Sequence, residues 1–456
     1  MSYKKEVHGN YNLLRYSTKK NQTEEVIAMH GKDYNKQIAN RQRIKRTTLV
    51  IGMDIGNEFN AMCLMNKEGE VLGKYPRIYN SRKGFNYFSK IIETMEKKKG
   101  FKDVLIGMEP TGHYWRKVAY FAKDSGYEVR FVRTTALRHQ RELDESSSAK
   151  SDARDAVTIA NITREGKYID TAIEDGVFRQ LRGLAHVRER IQRYNTGSKH
   201  ALQAVLDDHF PELNGIFWSM EAKGLWAVLE NCPFPENVIE LGVKRLSELI
   251  AKSSRRKVSA EKKAAEIYQA AKETVGLKQI GVADRYRVET YLEEVKRSEA
   301  KLKDIEKEMG KLLEEVPYAK NLLSIPGVGV LSCAVFLGEL GDPSNFKHPK
   351  QIIKYAGYDP QENDSGQTIG RKRISKKGRW MLRKYLYFMS MSAIYRSKFF
   401  RDYYERKLKG SNRFGQPLKK KEAICAVAIK LIKVIFALLR DNRMFTAEAP
   451  ELALAA

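Results

Sequence analysis

The sequence predicts a mixed α/β domain near the N-terminus, followed by two mainly helical regions. Short apolar runs of strand length alternate with helical stretches between residues 49 and 165. Residues 175–316 and 321–440 show mainly helical periodicity instead. At 456 residues, 42% of them hydrophobic, the chain is long enough for two or three domains with sizeable cores.

The elements of the α/β domain follow one another in a recognisable order. Residues 49–54, 61–65 and 71–75 are predicted as an antiparallel meander, with turn chemistry at Asn66–Gly69. The elements predicted after it are a polar helix at 84–98, a strand at 104–109, a helix at 114–125, a strand at 128–132 and a helix that starts near Ser151. Three meander strands followed by alternating helices and strands match the ribonuclease H layout.

Four carboxylates stand out within this domain, and we call them the acidic tetrad. Asp54 and Glu109 end two apolar strands, and Asp152 and Asp155 lie three residues apart on one helical face. Clustered acids repel one another and lose hydration unless a cation joins them. Oxygen ligands without neighbouring Cys or His favour Mg²⁺ or Mn²⁺ over zinc. The tetrad therefore predicts a metal site suited to chemistry on phosphodiesters.

The charge of the chain predicts a polyanionic partner. The formal net charge is +27, with an isoelectric point near 9.7. Residues 1–48 hold eleven Lys or Arg against four acids, and we predict a basic arm, flexible or ordered by a partner, that includes Arg41, Arg43, Lys45 and Arg46. Residues 366–421 hold eighteen Lys or Arg and two acids, a net +16 that favours phosphate contact.

The composition also excludes several classes of protein. The four cysteines are widely spaced and form no Cys-x-x-Cys pair, which argues against a zinc site or a disulfide framework. The N-terminus has no signal-peptide pattern, and no apolar run reaches membrane-spanning length. We therefore expect a cytosolic protein that acts on nucleic acid and has no membrane partner.

The middle region contains an apolar seam with heptad spacing. Its members are Tyr291, Val295, Ser298, Leu302, Ile305, Met309, Leu312 and Val316. Two interpretations fit it equally well. One is a dimerising coiled coil, and the other is a helical hairpin within one chain that packs on the helix near residues 178–203.

The C-terminal region is predicted to be a second, helical domain. Residues 322–331 resemble a helix-hairpin-helix turn, in which Gly327 and Gly329 bring backbone amides close to a phosphate. The last helix is predicted at Lys421–Arg440, and disorder is expected after Met444. Aromatic residues interleave with the basic run, some for the core and some to stack on bases: Trp380, Tyr385, Tyr387, Phe388, Tyr395, Phe399, Phe400, Tyr403 and Tyr404.

Several motifs occur together in one order. They are Gly52–Asp54, Met108–Gly112, Lys150–Ala156, Ile325–Gly329, Tyr355–Gly357, Asp364–Gly366, Ile374–Gly378 and Leu382–Arg383. With these motifs the chain resembles the bacterial and archaeal insertion-sequence transposases with a DEDD tetrad, which are described as bridge-RNA-guided recombinases. The resemblance covers roughly residues 48–440, and the N-terminal arm is longer than the family pattern.

The resemblance implies an architecture. A RuvC-like domain of the RNase H fold would occupy residues 49–174, and a helical coiled-coil region residues 175–316. The transposase domain would occupy residues 317–445, between the basic arm 1–48 and a tail 446–456. The family pairs the first domain of one subunit with the last domain of another, which implies at least a dimer and, on DNA, a tetramer.

The resemblance also implies a chemistry. The tetrad would bind Mg²⁺ or Mn²⁺, and Ser365 would attack DNA and form a covalent intermediate during excision and insertion of the element. The partners would be double-stranded DNA, at element ends and target, and a structured noncoding guide RNA. The protein would act in a prokaryotic cytoplasm, at the nucleoid when active. We expect nucleic-acid contacts at Gly327, Gly329, Arg371, Lys372, Arg373, Lys376, Lys377, Arg379 and Arg383.

Alternatives remain open at this point. Ser365 stands in turn-like composition, and Ser375 and Ser324 are rival serines with capping roles available to them. His113, after Glu109, is interpreted as structural, although it could contact phosphate. A metal-only Holliday-junction nuclease would use the same tetrad with water as the nucleophile. A non-catalytic nucleic-acid-binding protein would keep only the fold.

Overall fold

The computed structural model describes residues 34–110, 112–144, 151–169, 173–217, 219–253, 257–361, 373–410 and 416–446. The chain divides into two compact units, which we call the N-terminal unit, ending at Ile173, and the C-terminal unit, beginning at Glu174. Within the described ranges, every helix is too short or too polar to cross a membrane.

The N-terminal unit is built on a five-stranded sheet in the order β3-β2-β1-β4-β5. Its strands are β1 (Thr48–Asp54), β2 (Phe59–Met65), β3 (Arg77–Tyr79), β4 (Asp103–Met108) and β5 (Glu128–Phe131). β2 pairs antiparallel with both β1 and β3, whereas β1, β4 and β5 run parallel. The predicted mixed α/β domain is confirmed, and this order is compatible with the ribonuclease H layout.

Helices cover both faces of this sheet. They are α1 (residues 34–43), α2 (Arg82–Lys99), α3 (Trp115–Asp124), α4 (Thr134–Asp144) and α5 (Asp152–Arg164). Successive residues of β1 face opposite sides, as the two-residue strand period requires. Ile51 packs in a core with Phe88 of α2 and Val118 of α3, and Val50 packs on the other face with Ala156 of α5. The sheet is therefore a buried central layer.

Two predictions for this unit need correction. The third meander strand was placed at residues 71–75, but it is Arg77–Tyr79, and Val71 forms only an isolated bridge with Met65. Gly73 has a positive φ of 90°, which breaks the extended chain between the turn and β3. The segment 34–48 was assigned to an arm that is flexible or ordered by a partner, yet α1 packs on the unit: Asn40 donates to the carbonyl of Gly166, and Ile44 is buried.

The C-terminal unit is mainly helical. Its helices are α6 (Gly176–His209), α7 (Leu213–Ile216), α8 (Lys223–Asn231), α9 (Pro235–Ser253), α10 (Lys257–Glu273), α11 (Val282–Glu314), α12 (Ala319–Leu323), α13 (Val330–Leu340), α14 (Pro349–Ala356), α15 (Trp380–Arg396), α16 (Lys398–Lys409) and α17 (Lys420–Arg440). A 3₁₀ turn (Pro343–Asn345) follows α13, and a hairpin of β6 (Pro360–Gln361) and β7 (Arg373–Ile374) precedes α15.

The heptad seam lies on α11 and packs against α6 of the same chain. Val295, Leu302 and Met309 are buried there without a second copy. Arg188 of α6 pairs with Glu306 of α11 at 2.6 Å, while Ser198 donates to Glu294 at 2.7 Å, so the helices run antiparallel. The intramolecular hairpin is therefore the correct interpretation of this seam, and a dimer would have to use another surface.

Two apolar clusters fill the C-terminal unit. One joins the ends of α6 and α11 to helices α7–α10 around residues such as Phe210 and Leu246. The other surrounds α13 and α17 and contains Phe336 and Leu431. Phe445, directly after Met444, packs on this cluster, and its ring stacks on Phe400 with centroids 5.9 Å apart. Residues 447–456 lie outside the described residues, so disorder in the tail stays a prediction.

Candidate active site

Two glycines allow α5 to lie directly on the sheet. A Cβ on Gly52 of β1 would stand 2.1 Å from the carbonyl oxygen of Ala156, and one on Gly107 of β4 would stand 1.8 Å from Oγ1 of Thr163. These glycines are register partners in the parallel ladder. Each lies two residues before a tetrad acid, so glycine and acid share one face of their strand. That face is the one that α5 covers.

The sheet and α5 bring the acidic tetrad to one end of the N-terminal unit. Asp54 is the last residue of β1, Glu109 directly follows β4, and Asp152 and Asp155 occupy the first turn of α5. Glu109 and Asp155 are buried, with 9% and 3% of their surface exposed, while Asp54 is half-buried and Asp152 exposed. Each acid therefore occupies the strand end or helical turn predicted for it, and a metal site formed by all four stays a prediction.

The electrostatics of Asp54 report how near the other acids are. Burial, together with the negative charges of Asp155, Asp152 and Glu109, raises the pKa of Asp54 from 3.8 to about 6. Three acids, one from a strand end and two from one helix, therefore act on a single carboxyl. The arrangement keeps negative charge concentrated where a cation or a phosphate-bound metal would be attracted.

Arg141 is a member of this site that the sequence did not reveal. It lies on α4, and its Nη2 contacts Oδ2 of Asp155 at 2.6 Å. Its positive charge lowers the pKa of Asp54, against the effect of the acids. Neither α4 nor this arginine was predicted, because Arg141 stands among other polar residues with no motif or spacing to mark it.

The tetrad fits a divalent cation in chemical type and in charge. Its donors are carboxylate oxygens, the ligands that Mg²⁺ and Mn²⁺ prefer, and a cation would relieve the repulsion at Asp54. In the part of the chain that the structure describes, no three acidic, His or Cys side chains stand close enough together to hold a metal ion. Holding one would require the carboxylates to close in and Arg141 to release Asp155.

The second predicted centre, Ser365, lies outside the described residues, as do Arg371 and Lys372. The hairpin strands that flank that segment are described. Ser375, beyond β7, donates its hydroxyl to Asp359 before β6. Ser324 donates to the carbonyl of Asn321 at 2.6 Å and accepts from the amide of Phe445 at 2.8 Å. Both rival serines therefore have structural partners.

The predicted phosphate contacts divide into two groups. Arg373, Lys376 and Lys377 are exposed. Arg379 and Arg383 point inward instead: Nη2 of Arg379 contacts Glu174 at 2.8 Å, and Nη1 of Arg383 donates to the carbonyls of Ala356 and Lys376. Their guanidinium groups hold the C-terminal unit together, so the exposed three are the better positioned for phosphate.

The glycine turn between α12 and α13 has a packing role. A Cβ on Gly327, whose φ is +98°, would stand 2.6 Å from the backbone of Ser392 on α15. Close helix approach explains this glycine without a phosphate. Gly329, the N-cap of α13, has open space around it. Phosphate binding at these two glycines stays a prediction. His113 is exposed, and its ring lies 4.3 Å from that of Tyr114.

Two family models match this chain. A model of the DEDD transposases of IS110-type elements, described as a transposase, matches residues 51–211. A second model, described as the transposase IS116/IS110/IS902 family, matches residues 319–405. The first match spans the acidic tetrad, and the second spans the segment between β6 and β7.

Curated relatives agree with these matches. The chain is 25% identical over 333 residues to an insertion element IS110 protein of 43.6 kDa from Streptomyces coelicolor, covering 72% of this chain and 80% of the relative. It is 24% identical over 412 residues to an insertion element IS116 protein from Streptomyces clavuligerus, covering 88% and 96%. A pilin gene-inverting protein of Moraxella lacunata is 32% identical over 133 residues, covering 29% of this chain and 40% of the relative.

Proposed function

The chain belongs to the IS110 family of DEDD transposases, and from that premise we propose that its acidic tetrad and Ser365 together cut and rejoin DNA. It is an enzyme that acts on DNA. The proposed reaction excises an insertion element and inserts it at a target, at the nucleoid of its host. The pilin gene-inverting relatives are named for a related rearrangement, the inversion of a DNA segment.

One observation carries the proposal: the three other tetrad acids all raise the pKa of Asp54. These acids stand at the end of β1, directly after β4 and in the first turn of α5, and this arrangement supports the proposal. Such concentrated negative charge destabilises the fold slightly and is retained where it serves chemistry. In a protein with a net charge of +27, the natural recipient of that chemistry is a nucleic acid.

The tetrad residues would hold the divalent cation, Mg²⁺ or Mn²⁺. When bound, the ion supplies positive charge that stabilises the charge developing on the phosphate under attack. Asp54 and Glu109 are fixed by neighbouring strands of a buried sheet, so they form the rigid half of the site. Asp152 and Asp155 are fixed by α5, which Gly52 and Gly107 seat on that sheet.

Ser365 would be the nucleophile. Its Oγ would form a bond to phosphorus while the bond from phosphorus to one deoxyribose oxygen breaks, and that oxygen would leave as a hydroxyl. The covalent bond to the protein conserves the energy of the broken ester for rejoining. Two points support this serine: it occupies the Ser-Gly step that the family resemblance indicates, and Ser324 and Ser375 are occupied by structural hydrogen bonds.

A structured RNA guide and an oligomer complete the proposal. Exposed Arg373, Lys376 and Lys377 offer charge to phosphates of RNA or DNA without selecting sequence. Base pairing by the guide would then choose the DNA. Because the seam of α11 is satisfied within one chain, the proposed dimer would form through other surfaces.

Asp152→Ala tests the tetrad. We expect strand cleavage in Mg²⁺ or Mn²⁺ to be abolished and DNA binding to stay within about twofold, since an exposed acid is removed without a core contact. The matched control is Asp103→Ala, an exposed acid at the opposite end of β4 from Glu109. Cleavage by Asp152→Ala at the control's rate would refute the assignment.

Ser365→Ala tests the nucleophile. The protein is incubated with a nicked suicide DNA substrate and Mg²⁺, then denatured, and the covalent adduct is detected as a shifted band. We expect the adduct in the wild type and in Ser375→Ala and Ser324→Ala, but not in Ser365→Ala. Metal-dependent cleavage without any adduct in the wild type would instead favour the water-using nuclease.

A further inference from the structure

In the part of the chain that the structure describes, one face of α15 exposes four large apolar side chains with a lysine among them. We call it the α15 stripe, and its members are Trp380, Lys384, Phe388, Met391 and Tyr395. Their spacing of three or four residues places them along a single side of the helix. Trp380, Phe388, Met391 and Tyr395 are 42%, 47%, 46% and 80% exposed. The rest of α15 is core, with Leu382, Leu386 and Met389 buried.

The structure divides the aromatic residues that interleave with the basic run into buried and exposed ones. Tyr385 and Phe400 are buried and serve the core, whereas the stripe presents its rings to solvent. A contiguous exposed apolar surface of this kind marks a binding site. Three flat rings in one row are suited to stacking.

Cations accompany the stripe along its length. The guanidinium of Arg193 on α6 lies 5.0 Å from the ring centroid of Trp380, and Nζ of Lys384 lies 5.8 Å from that of Phe388. At the other end, Arg396 and Lys398 are exposed beside Tyr395. Glu189 of α6 contacts Lys384 at 2.8 Å and Arg193 at 3.5 Å, so one acid faces two cations near the Trp380 end of the stripe. The surroundings of the rings therefore keep a net positive charge, which complements a chain of bases linked by phosphates.

We propose that the α15 stripe binds an unpaired DNA strand, with bases stacked on Trp380, Phe388 and Tyr395. This inference rests on the proposed function, because it assigns the stripe to the strand that the enzyme cuts. Trp380 and Tyr395 are fifteen residues apart, which is about 22 Å along a helix. That length matches roughly six nucleotides at the duplex rise of 3.4 Å, and fewer of an extended strand.

The hairpin of β6 and β7 lies close to the stripe, which favours the cut DNA strand over RNA as the ligand. Arg383 of α15 donates to the carbonyls of Lys376, beyond β7, and Ala356, at the end of α14. Tyr358, before β6, donates its hydroxyl to the carbonyl of Arg383 at 3.0 Å. The hairpin strands that flank Ser365 are thus anchored at the same end of α15 as Trp380. This anchoring of the base of the hairpin beside the stripe is our reason for assigning the stripe to the cut strand.

The test is fluorescence anisotropy with the full chain in EDTA, so that no cleavage is needed. The probes are a labelled oligothymidine of 20 nucleotides, the matching oligouridine and a DNA duplex of the same length. The test variant is Phe388→Ala with Tyr395→Ala, and Phe388→Leu with Tyr395→Leu keeps the surface apolar but removes the rings. Tyr286→Ala on α11, where Tyr286 is 65% exposed, is the matched control.

We expect both ring-removing variants to bind oligothymidine at least about tenfold more weakly, since stacking on one ring contributes roughly five- to 150-fold. Duplex binding and the control should stay within about twofold. Circular dichroism checks that the variants are folded. Unchanged oligothymidine affinity in folded variants overturns the proposal. A loss confined to oligouridine assigns the stripe to RNA, and a halved mass in light scattering with unchanged DNA binding assigns it to a second copy.

This test is separable from that of the proposed function. If Ser365 or the tetrad is misassigned, oligothymidine binding should still depend on the stripe, because the assay needs neither metal nor cleavage. If instead the stripe is misassigned, Asp152→Ala and Ser365→Ala should still lose cleavage and adduct while the stripe variants bind DNA normally.

Discussion

Each unit of this protein contains a cluster of partly buried charged side chains, and the balance of acids and bases differs between the two clusters. In the N-terminal unit, the acidic tetrad has one described cationic partner, Arg141, which contacts Asp155 at 2.6 Å. In the C-terminal unit, two acids lie among three basic side chains. We call this second cluster the ionic network, and its members are Glu174, Glu339, Arg182, His186 and Arg379.

The geometry of the ionic network is that of a structural junction. Oε1 of Glu339 on α13, a residue only 2% exposed, lies 2.9 Å from Nε2 of His186. Glu174 contacts Arg182 at 2.9 Å and Arg379 at 2.8 Å. These ion pairs connect α6 and α13 to Arg379, the residue that directly precedes α15.

Opposite pKa shifts express the difference. Burial would raise the pKa of Glu339, but the hydrogen bond from His186 and the charges of Arg379 and Arg182 hold it below its ordinary value. Burial and three acids raise the pKa of Asp54 to about 6. A buried charge with a structural role is neutralised by oppositely charged neighbours. A buried charge that binds a ligand instead lacks enough opposite charge until the ligand is bound. Charge balance therefore distinguishes the structural cluster from the cluster that we propose binds a metal.

The largest expected effect is loss of stability on breaking the ionic network. Glu339→Ala leaves Arg182, His186 and Arg379 without their shared acid, and removing one partner of a buried pair costs about 3–5 kcal/mol. We expect that loss in the free energy of unfolding, measured by urea denaturation with circular dichroism. The exposed Glu314→Ala on α11 should change it by less than about 0.5 kcal/mol. Equal effects of the two changes would mean that the network is solvated.

Removing a charge from the tetrad should stabilise the metal-free protein, whereas removing Glu339 from the ionic network should destabilise it. The folded pKa of Asp54, about 6, lies above the ordinary value of 3.8, so the folded protein holds this proton more tightly than the unfolded chain. The proton on Asp54 therefore contributes to the free energy of unfolding below about pH 4, and this contribution is lost as the pH rises through 6. Asp54→Asn removes this dependence and should raise metal-free stability at pH 7 by on the order of 1 kcal/mol, with partial exposure discounted.

Urea denaturation in EDTA at pH 4.5 and at pH 7 checks this expectation. The difference in stability between these pH values should be smaller in Asp54→Asn than in the wild type. A less stable Asn variant at pH 7 would show that the charge of Asp54 is satisfied in the fold, and it would remove the contrast with Glu339.

The sequence predicted the positions of the tetrad well because strands and glycines there leave local signals. The Gly-Met-Asp and Gly-Met-Glu steps mark where α5 lies on β1 and β4, through Gly52 and Gly107. The third strand was misplaced because turn residues after Asn66 predict a hairpin, and the interruption at Gly73 follows from its backbone conformation.

Features that depend on contacts between residues far apart in sequence could not be predicted from local sequence patterns. The seam of α11 has the same heptad spacing whether its partner is α6 or a second chain, so only the fold decided for α6. Arg379 and Arg383 look like phosphate ligands in a basic run, yet their partners, Glu174 and the carbonyl of Ala356, are distant in sequence. Arg141 escaped notice because its partner Asp155 lies on a different helix.

The smallest expected effect is that of replacing Arg141. It tests whether the uncompensated negative charge of the tetrad binds a metal ion. Arg141 contacts an oxygen of Asp155 that a metal would use, so the guanidinium competes with a bound cation. Arg141→Ala should tighten Mn²⁺ binding by roughly three- to tenfold, which is about 1 kcal/mol, in isothermal titration calorimetry. Arg138→Ala is the matched control, because Arg138 lies three residues earlier on α4 and pairs with the exposed Glu142 at 3.1 Å. The control should bind Mn²⁺ like the wild type. Weaker binding by Arg141→Ala alone would mean that this arginine orients Asp155 for the metal, and the tetrad would then resemble the ionic network in depending on its cation.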